Sequence, residues 1–182
     1  MKNKIILLLG IAILIMSTEI QLFPQGTNIE AGGTMTTSPD SDLSTTFGAS
    51  LAFNFDLLKI SDYIMFQLRV DATYLTFDNN PFKLERIPIF VGGRLPTAFQ
   101  FFPPWLVLYL EAGAEVCIDS FTLREKSGKS TLFGAATGIG FEIFLRDNLY
   151  LSLSGRYHFT KNPDINSQNN YMTFGPAFGF RF

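Results

Sequence analysis

The chain has 182 residues, a formal net charge of −2 and one histidine, which suits a single domain and excludes strong electrostatic steering toward nucleic acid. Twenty phenylalanines and 15 glycines stand beside one tryptophan, a composition suited to short periodic strands with aromatic faces. The single cysteine, Cys117, excludes an intramolecular disulfide and a cysteine-based zinc or redox motif, and no cofactor or metal is expected.

Lys2 and Lys4 precede an apolar run from Ile5 to Met16. That run is too short for a spanning helix and sized like the core of an export signal. Residues 1–17 are therefore read as a signal peptide with its cleavage point open, an uncleaved anchor being the alternative, and 18–182 as one domain. No later stretch is long and apolar enough for a membrane helix, so any spanning structure has to be a closed barrel, because unpaired backbone groups are intolerable in lipid.

Eight strand-like segments follow. The first, 28–36, alternates Ile29, Ala31, Gly33 and Met35 with Glu30 and Thr34. In 46–57, Phe47, Ala49, Leu51, Phe53 and Phe55 oppose Gly48, Ser50, Asn54 and Asp56; in 63–76, Ile64, Phe66, Leu68, Val70, Ala72 and Tyr74 oppose Gln67, Arg69, Asp71 and Thr73. The segment 85–95 sets Ile87, Ile89, Val91 and Leu95 against Arg86, Phe90 and Arg94, with Pro88 predicting a bulge or strand end. Leu106, Leu108, Leu110, Val116 and Ile118 alternate with Tyr109, Glu111, Glu115 and Cys117 across 106–118. The glycine-rich 131–144 is weaker, with Phe133, Ile139, Phe141 and Ile143 opposite Gly134, Gly138, Gly140 and Glu142. Leu149, Leu151, Leu153, Tyr157 and Phe159 oppose Ser152, Ser154, Arg156 and His158. The last, 172–182, carries Phe174, Phe178, Phe180 and Phe182 on one face and Arg181 on the other, with Pro176 predicting a second irregularity.

The connections 37–45, 77–84, 119–130 and 160–169 are long, and 145–148 is short. Long outer loops alternating with short inner turns are the signature of an outer-membrane barrel with both ends on the inner side. The inner link 96–105 is an exception, and its Phe99, Phe101, Phe102 and Trp105 are expected to rest in the membrane interface.

A soluble lipocalin-like barrel also alternates, but it turns its apolar face inward and its charges out to water. Here every in-strand cation of the polar face is arginine: Arg69, Arg86, Arg94, Arg156 and Arg181, facing Glu30, Asp56, Asp71, Glu111, Glu115 and Glu142. Arginine is suited to buried bidentate pairing with carboxylates. The reading is an all-β, eight-stranded antiparallel up-and-down transmembrane barrel, monomeric, in the bacterial outer membrane.

The aromatic end closing on Phe182, the piece RIPIFVGGRL (86–95) and the piece LYLEAGAEV (108–116) resemble the small eight-stranded outer-membrane barrels of the OmpA-like and OmpW-like families over nearly all of 18–182. The resemblance implies that Phe178, Phe180 and Phe182 form the signal read by the barrel-assembly machinery, and it makes outer-membrane lipid a partner.

Eight strands enclose a space that side chains can fill, so the charges Arg69, Asp71, Arg86, Arg94, Glu111, Glu115, Glu142, Arg156 and Arg181 are expected to pair into a lumen network. That network fills and rigidifies the barrel in one reading; in another, partner exchange among Glu111, Glu115, Arg69 and Arg94 gates a narrow path for ions or small solutes. A third reading is adhesion, with a host or surface ligand at the outer loops, where Arg124, Lys126 and Lys129 and the Asn/Asp-rich 162–170 stand out. Catalysis is not expected. His158 is read as a rim residue, and Ser154 lies roughly 13 Å from it along the strand. Gly128, Lys129 and Ser130 mimic the end of a phosphate-binding loop, but Leu123 stands where the first glycine is needed.

Overall fold

A computed structural model describes residues 26–37, 45–79, 82–123, 126–162 and 167–182. The proposed signal 1–17 lies outside them, as do Arg124 and most of the first outer connection.

Eight strands form one closed barrel: β1 (Thr27–Thr37), β2 (Thr46–Ser61), β3 (Ile64–Asn79), β4 (Phe82–Thr97), β5 (Leu106–Leu123), β6 (Lys126–Arg146), β7 (Leu149–Asn162) and β8 (Ser167–Arg181). Each is antiparallel to its sequence neighbour, and β8 closes on β1 with Ile29 opposite Phe180 and Met35 opposite Phe174. The glycine-rich sixth segment is a full strand of 21 residues. Where β1 starts and β8 ends, hereafter the lower end, Phe182 N–H donates to Thr27 O at 2.9 Å and Arg181 N–H to Asn148 O at 2.8 Å. The lower end also carries the two tight turns 62–63 and 147–148 and the link between β4 and β5. In that link Phe102 N–H bonds Phe99 O and Leu106 N–H bonds Pro103 O.

The bulges expected at Pro88 and Pro176 do not occur. Pairing of β3 with β4 passes from Ala72↔Ile89 to Leu75↔Arg86 in unchanged register, and pairing of β1 with β8 passes likewise from Gly32↔Ala177 to Met35↔Phe174. Each proline lacks a donor toward one neighbour only. On its other side the ladder continues through it, as Pro88↔Cys117 and Leu153↔Pro176. The register shifts lie instead at the lower end, between Asp56 and Leu58, between Lys59 and Ser61, and between Phe144 and Arg146.

Three of the predicted outer loops are largely strand, 160–169 because β7 runs to Asn162 and β8 from Ser167. β3 and β4 run to Asn79 and from Phe82, and β5 and β6 to Leu123 and from Lys126. Gly128, Lys129 and Ser130 therefore sit in β6 rather than in a phosphate-binding loop. Sequence periodicity misplaced these boundaries because the polarity of the faces inverts there while the register does not. Along β3 the outward residues Ile64 to Tyr74 are apolar, whereas from Leu75 onward the apolar side chains point inward. Leu75, Phe77, Leu84 and Leu132 are buried with Cys117 and Tyr171 in one cluster, while Asp78, Lys83, Thr122, Lys129 and Lys161 are exposed. Below this level the barrel is inverted relative to a soluble one. Phe47, Leu51, Val91, Leu110, Phe133, Ile139, Phe159, Phe174 and Phe178 are exposed, and Glu30, Asn54, Arg69, Arg94, Glu111 and Glu142 are buried. The outward apolar stretch from Ile64 to Tyr74 covers roughly 25 Å along the axis of a tilted barrel, the height of a lipid-facing belt. Above it the outer face meets water, so the inside has to become the apolar side.

In lipid vesicles, cysteines replacing Lys83 or Lys129 are expected to react with a water-soluble maleimide, and cysteines replacing Val91 or Phe133 to be protected. Native Cys117 is fully buried and should remain silent. Equal labelling at all four positions would contradict the inversion.

Candidate functional site: the charged lumen

The inward positions of eight strands converge on one axis, and pairs of large and small residues in register make room for the charges. Tyr109 lies opposite Gly140, and Tyr150 opposite Gly179. A Cβ on either glycine would collide with the facing phenol ring, so glycine there is a condition for filling the lumen with tyrosine.

From the lower end upward, the polar groups form tiers. Asp56 accepts from Gln67 Nε2 at 2.6 Å and lies 3.5 Å from Arg181 Nη2, while Arg181 Nε donates to Asn28. Arg94 Nη1 is 2.8 Å from Glu30 Oε1 and 3.0 Å from Glu142 Oε1, and its guanidinium stacks on the Tyr109 ring at 3.6 Å. Glu30 also accepts from Tyr150 Oη at 2.9 Å, Asn54 Nδ2 at 3.0 Å and Arg69 Nη1 at 2.7 Å. At mid-height Arg69 lies 2.8 Å from Asp71 and 3.4 Å from Glu111, and Arg156 bridges the same two carboxylates at 2.7 and 2.8 Å. The Arg156 guanidinium lies over Phe90 at 4.2 Å.

Higher up the chemistry changes. Glu115 Oε2 is 2.5 Å from His158 Nδ1, His158 Nε2 is 2.9 Å from Thr173 Oγ1, and Tyr171 Oη and Cys117 Sγ both donate to Glu115 Oε1. The imidazole stacks flat on Tyr171 at 4.2 Å. Arg86 closes the series with a bidentate pair to Asp119 at 2.8 and 2.7 Å, directly below the apolar cluster.

The residues singled out from sequence thus fall into three groups. Arg69, Asp71, Glu111, Arg94, Glu142 and Arg156 share a continuous cluster with Glu30. Arg181 stands at the lower mouth with Asp56. Arg86 and Glu115 lie above that cluster and are joined through Tyr171, whose ring lies under the Arg86 guanidinium at 5.1 Å and whose hydroxyl donates to Glu115; Glu115 itself faces His158 rather than any arginine, and the four-residue exchange set Glu111, Glu115, Arg69 and Arg94 is not assembled. His158 is corrected from the rim to the lumen, where it is 2% exposed. Asp119 was missed because it fell in a supposed loop. The tyrosines and amides that complete the tiers follow from the same period-two rule that located the charges. Phe178, Phe180 and Phe182 point outward and are exposed.

Carboxylate, imidazole and hydroxyl stand in line at Glu115, His158 and Thr173, the order of a nucleophile relay. Thr173 borders a cleft of about 40 Å³ between β1, β8 and the central arginines. Among the described residues no group of acidic, histidine or cysteine side chains has the geometry of a metal site.

Glu30 and Glu142 share one arginine nitrogen, but only Glu30 has further donors. Glu30→Gln is accordingly expected to destabilise the barrel by about 2–4 kcal/mol in urea unfolding, since it strips a partner from both Arg69 and Arg94, whereas Glu142→Gln is expected to cost less than about 1 kcal/mol. Equal costs would show that Glu142 is as fully paired as Glu30.

No protein-family profile and no curated protein sequence matches the chain. Solved structures do. Ail, the attachment invasion locus protein of Yersinia pestis, superposes with a TM-score of 0.59 at 16% identity, over 88% of this chain and all of that one. Neisserial surface protein A gives 0.58 at 19% identity over 86% and 94% of the two chains. The outer-membrane enzyme PagL gives 0.56 at 14% identity over 83% and 98%. At these identities the likeness concerns architecture, and the chain has the fold of the small eight-stranded outer-membrane β-barrels.

Proposed function

We propose that the protein is an integral outer-membrane barrel with a structural or surface-interacting role, non-conducting and non-catalytic, whose lower end faces the periplasm. The observation that carries this reading is the obstruction of the lumen. A path along the axis meets Arg94 stacked on Tyr109, the Arg69–Arg156 cluster, the Glu115–His158 group and finally the apolar cluster of Leu75, Phe77, Leu84 and Leu132. An ion would have to displace buried, mutually paired charges and then cross an apolar constriction.

The lumen network stiffens the barrel from inside, while the outward belt holds it in lipid. Phe99 and Phe101 anchor the inner rim at the periplasmic interface, where aromatic rings are favoured, whereas Trp105, expected there too, borders the lower cavity. Outward Phe178, Phe180 and Phe182 serve as the signal for the barrel-assembly machinery, and the barrel works as a monomer. What remains for interaction with the outside is the polar palisade of strand ends above the belt. Exposed Lys83, Lys129 and Lys161 suit anionic lipid headgroups or an acidic surface ligand. This adhesive reading draws support from the rigid projection of β3 to β6 and from likeness to a protein named for attachment.

Planar bilayers containing the refolded protein are expected to stay silent, and so are Glu111→Gln and Arg94→Gln variants. Reproducible single-channel steps from the unsubstituted protein would overturn the closed-lumen reading. A lipid deacylase assay is expected to give no product above background; product that disappears in His158→Gln would instead make the relay catalytic.

A further inference from the structure

A cavity of about 530 Å³ opens at the lower end of the barrel, bordered by Tyr63, Trp105, Phe144, Lys59, Arg181 and Glu142 among others. It is blind, because Arg94, Tyr109, Tyr150 and Glu30 close it from above and are all nearly or fully buried. Its floor carries an unusual group. Glu142 is 3% exposed, borders the cavity, and its Oε1 makes no hydrogen bond among the described residues.

The charge count points the same way. In the lower part of the lumen the carboxylates of Glu30, Asp56, Asp71, Glu111 and Glu142 face the guanidiniums of Arg69, Arg94, Arg156 and Arg181, so one negative charge lacks a partner. Glu30, Asp71 and Glu111 each pair with two of these arginines, and Asp56 has Arg181 and the Gln67 amide. Glu142 has only a share of the Arg94 nitrogen already engaged by Glu30. The other cations at the mouth do not compensate. Lys59 pairs with Asp62 at 2.8 Å, and Arg181 is directed to Asn28 and Asp56. Arg146 adjoins Asp147 on the β6–β7 turn, which leaves the local count unchanged.

The wall supplies the complementary half of a cation site. Trp105 is tied to β6 by the hydrogen bond from Phe144 N–H to Trp105 O at 2.8 Å. Phe144 lies two residues beyond Glu142 on the same inward face, its ring packed 5.3 Å from that of Tyr150. Aromatic faces beside a partly compensated carboxylate attract an ammonium group by both charge and ring quadrupole.

We propose that this vestibule is a binding site for a small organic cation, an amine or quaternary ammonium compound, taken from the periplasmic side with its charged head on Glu142 and its body against Trp105, Phe144 and Tyr63. The site is independent of whether the barrel conducts, since the ligand enters and leaves by the same mouth.

Trp105 is the single tryptophan of the chain and reports occupancy directly. Refolded protein in a non-ionic maltoside detergent is titrated with putrescine and with choline, and with sodium acetate and inorganic phosphate as anionic controls, while Trp105 emission is followed. A saturable change is expected for at least one cation at micromolar to millimolar concentration and none for the anions. Glu142→Gln is expected to weaken the cation response at least about tenfold, with Glu85→Gln, outward and remote at the upper end, unchanged. Heat-modifiable gel migration checks that each variant is folded. No saturable response to either cation, an equal response to acetate, or full affinity in folded Glu142→Gln overturns the proposal. The selectivity of the unsubstituted protein decides the matter even if the variant does not fold.

Discussion

Closure of the hydrogen-bond ladder is the constraint from which the other features follow. A sheet immersed in lipid cannot leave an edge unpaired, so β8 has to find β1, and eight strands then fix a narrow interior. Once the outside is committed to lipid, polar side chains have nowhere to go but inward, where they meet one another instead of water. Each buried charge then requires a partner at close range. The pairing of small with large inward residues, such as Gly140 opposite Tyr109 and Gly179 opposite Tyr150, is what allows so many long side chains to share that space.

The interior is stratified rather than uniform. Arginine and carboxylate dominate the part surrounded by the apolar belt, a histidine–glutamate–tyrosine group follows, and an apolar cluster closes the end that projects beyond the belt. This order mirrors the outside. Where the outer face meets hydrocarbon the inner one is polar, and where the outer face meets water the inner one is apolar. A single barrel thus contains an inside-out segment and a conventional segment joined without a register shift in β3 to β6. The outer end is filled by hydrophobic burial and mid-height by paired charge.

Much of this was readable along the chain. Eight strands, their inward and outward residues and the lumen position of Arg69, Arg94, Glu111 and Arg156 follow from period-two alternation, because side-chain direction in a strand depends on parity alone. The upper boundaries of β3 to β6 were not readable. At Leu75 the apolar phase changes from outward to inward, a pattern that in sequence resembles the end of a strand. His158 and Asp119 were misjudged for related reasons, one as a lone histidine without visible partners and the other as a loop residue, although both have lumen parity.

The sequence by itself determined the number of strands, the handing of each residue to one face and the surplus of carboxylate over arginine, since these depend on order and composition. Only the tertiary structure decided who pairs with whom. Glu115 and Glu111 stand four residues apart on one strand, yet one meets His158 and the other Arg156 and Arg69. The partner is set by the stagger between strands as the barrel closes, which brings Glu111 level with Gly138 and Arg156 across β6 while Glu115 lies level with Gly134. The same stagger leaves Glu142 at the floor of the lower vestibule with half an arginine, a circumstance no linear pattern records.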